Sequence, residues 1–306
     1  MQNIIEVKGL EKSYGSVKAV KGIDFNVKKG QLFAFLGPNG AGKSTTVEML
    51  CTLLEPNSGS VKIDGFELGK QDNEIRSRIG VVFQDNMLDG LLTVEENLKI
   101  RGSFYGMKKE KLENALKFAA ENTGATDILK RKYSNLSGGQ RRRADIARAL
   151  MHSPEILFMD EPTTGLDPQT RKNIWETIRS MQQKNNMTVF LTTHYMEEAA
   201  QADYVVTIVD GKIAACGTPA ELREKFSKDT LYLNCKPKHE KDVCNYFENN
   251  NIQYNKEGGN IVVSVESTIS ALPILNELEA YIDGFEVVAG TMDDAFIAIT
   301  GRELQK

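Results

Sequence analysis

Residues 32–54 read LFAFLGPNGAGKSTTVEMLCTLL: a short apolar run, a glycine-rich loop and a helix-forming run that begins at Lys43. Gly37 is followed by four residues and then by Gly42, Lys43 and Ser44. Glycines allow several backbone N–H groups to face one anion, and the start of a helix adds positive potential. The pattern predicts a phosphate-binding cradle in which Lys43 contacts the β- and γ-phosphates of a nucleotide and the Ser44 hydroxyl coordinates Mg²⁺.

The alternative to a cradle is an ordinary glycine turn with a solvated lysine. The order of strand, loop and helix around residues 37–44 favours nucleotide binding, because the bare pattern is rare by chance and this placement makes a chance match rarer still. We expect the helix to run from Lys43 to about Leu54.

Outward from the cradle, short apolar or alternating runs predict a series of strands. They are IIEVKGL at 4–10, IDFNVKKG at 23–30, QLFAFLG at 31–37, GSVKIDG at 59–65, IGVVF at 79–83, EILFMD at 155–160 and MTVFLTTH at 187–194. Residues 93–150 read mostly as helix, and a further helix contains Trp175. Residues 203–217 predict a hairpin with Asp210 and Gly211 as its two-residue turn. The first part of the chain is therefore predicted to be an α/β core with an antiparallel β edge and a helical insert.

The composition changes near Phe226, so we expect two domains, 1–225 and 226–306. The second part predicts the order strand, helix, strand, strand, helix, strand, which suits a small α+β unit of ferredoxin-like type. A last short helix is expected at 293–300.

Composition narrows the classes of function. The 306 residues leave room for two domains and a large core, and the formal net charge of −4 gives no overall attraction to nucleic acid or anionic lipid. The apolar runs are far shorter than the roughly 18 residues that a membrane-spanning helix needs. The four cysteines are scattered without a CxxC spacing, so we interpret them as reduced thiols.

Two carboxylates follow the buried strand of residues 156–159. Ligands of open α/β sheets lie at the carboxyl ends of the strands, where the cradle also opens. Asp160 is thus placed to hold the Mg²⁺ shell, and Glu161 to orient and polarise an attacking water. An acidic pair after a strand is by itself typical of a solvated turn, so this interpretation depends on the cradle.

Residues 136–140 read LSGGQ and precede a strongly helical run, although two glycines disfavour the first turn of a helix by about 1 kcal/mol each. With GPNGAGKST, VVFQD, ILFMDEPTTGLDP and LTTH in the same order, this segment resembles the ATP-binding cassette (ABC) ATPases of membrane transporters. The resemblance covers about residues 1–225, and LSGGQ is its most discriminating motif.

The resemblance implies that two cassettes face each other head to tail, with ATP between the cradle of one and the LSGGQ of the other. Ser137, Gly138 and Gly139 would then contact the γ-phosphate of the partner's ATP, with the helix dipole directed at the same charge. A local interpretation competes, because Ser137 and Gln140 also fit a capping box, although a capping box does not explain the glycines. The residues assigned to nucleotide binding are Tyr14, Gly37, Pro38, Asn39, Gly40, Ala41, Gly42, Lys43, Ser44, Thr45, Ser137, Gly138, Gly139, Gln140 and Asp167.

Other roles come from the resemblance alone. Tyr14 resembles the aromatic residue that stacks on adenine, although a tyrosine after a first strand by itself suggests the core. Gln84 resembles the glutamine that contacts Mg²⁺ or its water, and Asp167 the loop aspartate that communicates between the two sites. His194 resembles the histidine that holds the γ-phosphate and the catalytic glutamate. The expected catalytic set is Glu161, His194, Lys43 and Gln84, and the expected Mg²⁺ ligands are Ser44, Gln84 and Asp160.

The remaining polar residues are interpreted more simply. Residues 141–143, three arginines, predict the solvated face of the helix after LSGGQ, with attraction of phosphate as the alternative. His152 and His239 are expected at the surface.

The apolar residues Met87, Leu88, Leu91 and Leu92 lie where such cassettes receive the coupling helix of a permease, but they could equally pack internally.

A single cassette without a membrane span implies that the transport pathway lies in separate multi-span permease subunits. The expected partner is a second copy of the chain or a homologous cassette, at the inner face of the cell membrane in the cytoplasm. The ending TMDDAFIAITGREL at 291–304 resembles the tail of drug, antibiotic and polysaccharide exporter ATPases. An importer ATPase and a soluble ABC ATPase acting on ribosomes or DNA remain the alternatives, and the acidic charge disfavours nucleic acid.

Overall fold

The computed structural model describes residues 2–301, which divide into two compact units after Thr218. The boundary expected from the sequence falls after residue 225. Helix Pro219–Phe226 instead belongs to the second unit, where it packs against helix Met292–Thr300. No helix among residues 2–301 is both long enough and apolar enough to cross a membrane.

The first unit contains ten strands and seven α-helices within the described residues. The strands are β1 (Asn3–Tyr14), β2 (Val17–Lys28), β3 (Leu32–Leu36), β4 (Ser58–Ile63), β5 (Phe66–Glu67), β6 (Ile79–Val82), β7 (Ile156–Asp160), β8 (Thr188–Thr193), β9 (Tyr204–Val209) and β10 (Lys212–Gly217). The helices are α1 (Lys43–Leu50), α2 (Asp72–Arg78), α3 (Val94–Phe104), α4 (Lys109–Thr123), α5 (Gly138–Leu150), α6 (Pro168–Asn185) and α7 (Met196–Ala199).

A six-stranded sheet in the order β10-β9-β3-β8-β7-β6 forms the centre of this unit. Five of these strands run parallel to one another, in the order β9, β3, β8, β7 and β6. The edge strand β10 pairs antiparallel with β9. Strands β3, β7 and β8 are almost wholly buried, as expected for parallel strands covered on both faces. The carboxyl ends of β3, β8, β7 and β6 therefore lie side by side at one edge of the sheet.

A second, antiparallel sheet in the order β2-β1-β4-β5 packs against the parallel one. Phenylalanines fill the space between the sheets, with ring centroids 4.9 Å apart for Phe33 and Phe190 and 5.6 Å apart for Phe25 and Phe33. This aromatic core fixes the strand ends on which the candidate site is built. The predicted α/β core with an antiparallel edge is confirmed, as are the helical region before residue 150 and the hairpin turn at Asp210 and Gly211.

The prediction that the cradle helix extends to about Leu54 is wrong, because α1 ends at Leu50. Cys51 forms the C-cap and Thr52 has a positive φ of 61°, a left-handed conformation that cannot continue an α-helix. The apolar run at 50–54 therefore leaves the helix after Leu50, although its leucines favour helix.

The second unit confirms the ferredoxin-like interpretation. Its elements are α8 (Pro219–Phe226), β11 (Asp229–Cys235), α9 (Glu240–Asn249), β12 (Tyr254–Glu257), β13 (Asn260–Val265), α10 (Ala271–Leu278), β14 (Ile282–Val288) and α11 (Met292–Thr300). The four strands pair antiparallel in the order β12-β13-β11-β14, and Leu231, Leu233 and Phe247 are buried in the core of the unit. Of the tail motif at 291–304, residues 302–304 lie outside the described residues.

Candidate functional site

The glycine-rich loop lies between the end of β3 and the start of α1. Gly42 is the N-cap of α1 with φ 105°, and a Cβ on it would lie 2.5 Å from the carbonyl oxygen of Ala19. A Cβ on Gly37 would overlap with the carbonyl oxygen of Ile208. These glycines are required because neighbouring backbone lies against the loop.

The start of α1 fits an anion. No side chain of residues 2–301 caps this helix, and an α-helix leaves its first N–H groups without intrahelical partners. The loop borders a cavity of about 300 Å³. The lining residues are Ala19, Asn39, Gly40, Gly42, Lys43, Ser44, Thr45, Gln84 and Glu161. The structure thus places residues of the predicted cradle, Gln84 and Glu161 around one cavity at the start of a helix, a position that favours the phosphates of a nucleoside triphosphate.

Lys43 is 5% exposed, and its ammonium donates to the carbonyl oxygens of Gly37 at 2.8 Å and Pro38 at 3.1 Å. The Nζ atom lies 3.6 Å from Oε1 of Glu161. Burial lowers the pKa of Lys43, while the charges of Glu161 and Asp160 partly oppose that shift. The ammonium is therefore held inside the cradle, beside the carboxylate expected to face the attacking water.

Asp160 and Ser44 supply the oxygen ligands that Mg²⁺ prefers. Asp160 ends β7, and its Oδ1 accepts hydrogen bonds from Ser44 Oγ at 3.5 Å and from Thr192 Oγ1 at 2.5 Å. Residues 2–301 hold no cluster of three or more His, Cys, Asp or Glu side chains suited to a metal ion. A site with one carboxylate and one hydroxyl fits a cation that also takes phosphate oxygens and waters as ligands.

Glu161 has an unusual backbone conformation, with φ 44° in the left-handed region. Its N–H donates to Thr192 Oγ1 at 3.0 Å, and Thr164 Oγ1 donates to its Oε2 at 3.1 Å. His194 Nδ1 lies 3.2 Å from Oε1, within ion-pair distance but without hydrogen-bond alignment. Burial raises the pKa of Glu161, but the charges of His194 and Lys43 and the hydrogen bond from Thr164 outweigh it and leave the pKa below its ordinary value. The carboxylate is thus ionised at neutral pH and able to accept a hydrogen bond from water.

The LSGGQ segment opens α5 and forms the capping box that the local interpretation described. Ser137 Oγ accepts the N–H of Gln140 at 3.4 Å, and Gln140 Oε1 accepts the N–H of Ser137 at 3.1 Å. A Cβ on Gly139 would overlap with the side chain of Thr170, so this glycine also has a packing reason. Ser137, Gly139 and Gln140 line a separate cavity of about 590 Å³, to which none of the described cradle residues contributes.

Two of the residues whose roles come from the resemblance, Asp167 and Tyr14, lie at the end of a helix or strand. Asp167 is the N-cap of α6, where its Oδ1 accepts the N–H of Thr170 at 3.0 Å. The carboxylate of Asp167 accepts from the hydroxyl and the backbone N–H of Thr170, which holds the pKa of Asp167 below its ordinary value. Tyr14 ends β1 and is 48% exposed, so it is not part of the core and its ring is accessible to a base.

The interpretation of residues 141–143 as a solvated face is wrong for the middle arginine. Arg142 is 6% exposed, and its guanidinium donates to the carbonyl oxygens of Phe83, Asp160, Glu161 and Pro162. It points inward because α5 packs against β6, where unpaired carbonyls at the strand ends need donors.

The expectation that His152 lies at the surface is also wrong. Its ring stacks on Tyr105 with centroids 4.2 Å apart, and Nε2 lies 2.9 Å from the carbonyl oxygen of Ile79. Burial lowers the pKa of His152 to about 4. His239, in contrast, has a side chain that is 42% exposed and pairs with Asp242.

Four threonines and a buried glutamate around the site were not predicted from the sequence. Thr192 contacts Asp160 and Glu161, and Thr164 contacts Glu161. Glu198 is 1% exposed and accepts hydrogen bonds from Thr163 and from Thr193, whose Oγ1 lies 2.6 Å away. The only signal was position, since each threonine stands within three residues of a predicted site residue.

Comparisons with known proteins show which proteins this chain is similar to. The sequence model of the ABC transporter family matches residues 20–164. The linearmycin resistance ATP-binding protein LnrL of Bacillus subtilis is 40% identical over 229 residues, which is 74% of this chain and 73% of that protein. The daunorubicin/doxorubicin resistance ATP-binding protein DrrA of Streptomyces peucetius is 33% identical over 306 residues, 97% of this chain and 92% of that protein.

Among solved structures, a dimeric ATP-binding cassette in a post-hydrolysis state, bound to ADP and phosphate, superposes with a TM-score of 0.64. The two sequences are 30% identical, and the matched region spans 70% of this chain and 98% of the chain in that structure.

Proposed function

The chain belongs to the ABC transporter family of ATP-binding, ATP-hydrolysing subunits, and from this premise we propose that it powers export through a separate membrane permease. In this proposal two copies of the chain enclose ATP and Mg²⁺ between them at the inner face of the membrane. ATP binding closes the pair and hydrolysis opens it. The work done on the permease comes from the different affinity of ATP for the closed and open forms.

The observation that carries the proposal is that the cradle and the LSGGQ segment line separate cavities in one chain. The cradle lies at the start of α1 and the LSGGQ segment lies at the start of α5. The N–H groups at the start of a helix favour negative charge, so both segments can bind phosphate. A triphosphate on α1 of one copy can satisfy α5 of a second copy when the two pack head to tail. The structure of a related cassette is dimeric, which supports this arrangement.

In the assembled site we assign the chemistry to residues around the cradle cavity. The ammonium of Lys43 exchanges its loop carbonyls for phosphate oxygens, while ionised Glu161 orients the attacking water and His194 holds that carboxylate. Bound Mg²⁺, held by Ser44 and Asp160 with Gln84 nearby, would neutralise developing charge on the phosphates. Burial of Lys43 strengthens its contact with the transferred group, because a dry site screens charge weakly.

Export is favoured over import by the relatives. Two relatives are named for resistance to linearmycin and to daunorubicin or doxorubicin, and the second matches this chain over 97% of its length. The match therefore includes the second unit as well as the cassette. We infer a small organic molecule that the cell removes as the cargo.

The surface proposed for the permease follows β6. Met87 is 54% exposed and Leu91 is 79% exposed, while Leu88 and Leu92 are partly buried. Large exposed apolar side chains are typical of interaction sites when they cluster. Gln84 lies just before this segment, so a permease helix seated here would contact a residue that also lines the nucleotide cavity.

Mixing two inactive variants tests the shared site. Lys43→Ala removes the cradle cation, and Ser137→Arg blocks the segment that faces the partner's nucleotide. When the two are mixed in equal amounts, half of the dimers contain one copy of each and keep one intact site, so about a quarter of the parental ATPase activity returns. Lys43→Ala mixed with Glu161→Gln is the matched control. Both residues lie in the same half-site, 3.6 Å apart, so no activity should return.

The outcome is read together with a pull-down of differently tagged copies that shows whether mixed dimers form. If mixed dimers form and the Lys43→Ala and Ser137→Arg pair stays inactive, the shared site is wrong. If activity also returns in the control, the assignment of Lys43 and Glu161 to one half-site is wrong.

A further inference from the structure

The most extensive buried polar contact in the first unit that the function above leaves unused is made by Arg142. It lies in the second turn of α5, with Nε 2.5 Å from the carbonyl oxygen of Pro162 and Nη1 2.5 Å from that of Phe83. Nη2 lies 3.0 Å from the carbonyl oxygen of Glu161 and 3.2 Å from that of Asp160. One guanidinium therefore holds four backbone carbonyls from two loops.

One of these carbonyls belongs to the strained residue. Glu161 has φ 44°, a left-handed conformation that costs free energy for a residue other than glycine and persists only when its surroundings enforce it. Both backbone polar groups of Glu161 are fixed, because its N–H donates to Thr192 and its carbonyl accepts from Arg142. The backbone at this residue determines where the carboxylate lies relative to Lys43 and His194.

A second carbonyl belongs to the residue before Gln84. Phe83 follows the last residue of β6. Its carbonyl oxygen and that of Pro162 both lie 2.5 Å from the guanidinium, the shortest of the four contacts. The same side chain extends from the helix that begins with the LSGGQ segment. Arg142 thus joins three parts of the site that are distant in sequence: the start of α5, the end of β6 and the loop after β7.

We propose that Arg142 is a positioning residue for ATP hydrolysis: it fixes the backbone of Glu161 in the left-handed conformation and couples it to the segment that carries Gln84. This inference rests on the proposed role of Glu161 toward the attacking water. Arg142 itself faces backbone carbonyls and not the nucleotide cavity, whose lining does not include it.

Arginine suits this role better than other cations. Its planar guanidinium presents five N–H donors in a rigid fork, so it can bind several carbonyls at once. A lysine offers one ammonium at the end of a flexible chain and cannot reach two loops in the same geometry. Burial lowers the pKa of Arg142, and the charges of Asp145, Asp160 and Glu198 partly offset that shift.

The test compares Arg142→Lys and Arg142→Gln with a matched buried arginine. Arg148 lies on the same helix, is 8% exposed, and donates to the carbonyl oxygen of Val81 at 2.7 Å without contacting either catalytic loop. Arg148→Lys therefore reports the general cost of losing a buried guanidinium. ATP affinity is measured by fluorescence titration, kcat by phosphate release, and stability by thermal unfolding.

We expect both Arg142 variants to lose about ten- to hundredfold in kcat, because a small displacement of a reacting group is sufficient for such a loss. Their Kd for ATP should stay within about threefold of the parent, since the cradle is intact. Arg148→Lys should lose a similar amount of thermal stability and keep kcat within about threefold. Equal kcat in the Arg142 and Arg148 variants would overturn the proposal, as would a loss confined to ATP affinity.

A double-variant cycle with Glu161→Gln separates this inference from the proposed function. If Arg142 acts through Glu161, adding Arg142→Lys to Glu161→Gln should leave the residual single-turnover rate unchanged within about threefold. Independent, multiplying losses would overturn the positioning role while leaving Glu161 in place. Normal turnover in Glu161→Gln alone would instead refute the proposed role of Glu161 and, with it, the premise of this inference.

Discussion

Replacing Thr192 with valine removes one hydroxyl and keeps the branched shape of the side chain. Thr192 is fully buried in β8, and its Oγ1 both donates to Asp160 Oδ1 at 2.5 Å and accepts the N–H of Glu161 at 3.0 Å. In the variant the N–H of Glu161 loses its partner, and the carboxylate of Asp160 loses a donor. The two residues that we assign to Mg²⁺ and to the attacking water are then released together.

The magnitude follows from these two bonds. An orphaned buried N–H costs about 1–3 kcal/mol, and a hydrogen bond to a charged acceptor contributes about 1.5–3 kcal/mol. Asp160 is only partly buried, so water can replace part of its loss. We therefore expect the first unit to lose about 2–4 kcal/mol of unfolding free energy and kcat to fall about tenfold or more.

Thr188→Val is the matched control. It makes the same substitution in the same strand at an equally buried position, where Oγ1 accepts the N–H of Gly30 at 2.9 Å, away from the site. We expect it to cost about 1–3 kcal/mol and to leave kcat unchanged. The single tryptophan, Trp175, lies in α6, so its fluorescence during urea unfolding reports on the first unit by itself.

Equal kcat values in the two valine variants would refute the reasoning, because Thr192 would then stabilise the sheet without organising the carboxylates. An unchanged unfolding free energy in Thr192→Val would refute the hydrogen-bond geometry itself.

Three further changes test separate parts of the site and fold. Glu161→Gln should bind ATP, accumulate as a dimer and turn over about 10²–10⁴-fold more slowly, and near-normal phosphate release would exclude the role of Glu161. Tyr14→Ala should weaken nucleotide binding by about 1–3 kcal/mol if the exposed ring stacks on the base, whereas an unchanged titration would limit Tyr14 to packing. Burial lowers the pKa of His152 from 6.5 to about 4, so the unfolded chain takes up its proton first and stability falls as the pH drops through that window. His152→Phe keeps an aromatic ring on Tyr105 and should lose about 3 kcal/mol less stability than the parent between pH 7 and pH 4; parallel losses in urea titrations would contradict this.

The local order of strand, loop and helix was predictable because neighbouring residues determine it. Apolar periodicity identified the buried strands, and Asp210 with Gly211 marked the hairpin because that turn needs positive φ at both positions. The cradle was predictable for the same reason, since its glycines, lysine and hydroxyl are consecutive. The end of α1 was not, because the left-handed conformation of Thr52 is not favoured by its own residue type.

The burial of Arg142, the middle residue of the arginine run, could not be predicted from the sequence. Three adjacent arginines look alike in sequence, and although consecutive residues of a helix point about 100° apart, the sequence does not show which of the three faces the core. Only the packing of α5 against β6 turns Arg142 inward, where its guanidinium donates hydrogen bonds to four backbone carbonyls of two loops. His152 is a similar case, because Tyr105 and the carbonyl of Ile79, both distant in sequence, determine its burial.

The sequence by itself predicted a phosphate cradle, a pair of carboxylates and the glycine-containing start of a helix at LSGGQ, because each is encoded by a few consecutive residues. The tertiary structure decided that the cradle, Asp160, Glu161, His194 and Gln84 meet, since β3, β8, β7 and β6 are adjacent and parallel and their carboxyl ends converge. It also decided that the LSGGQ segment opens onto a different cavity of the same chain. Strand order and helix packing depend on contacts between residues far apart in the chain, and local patterns do not contain that information.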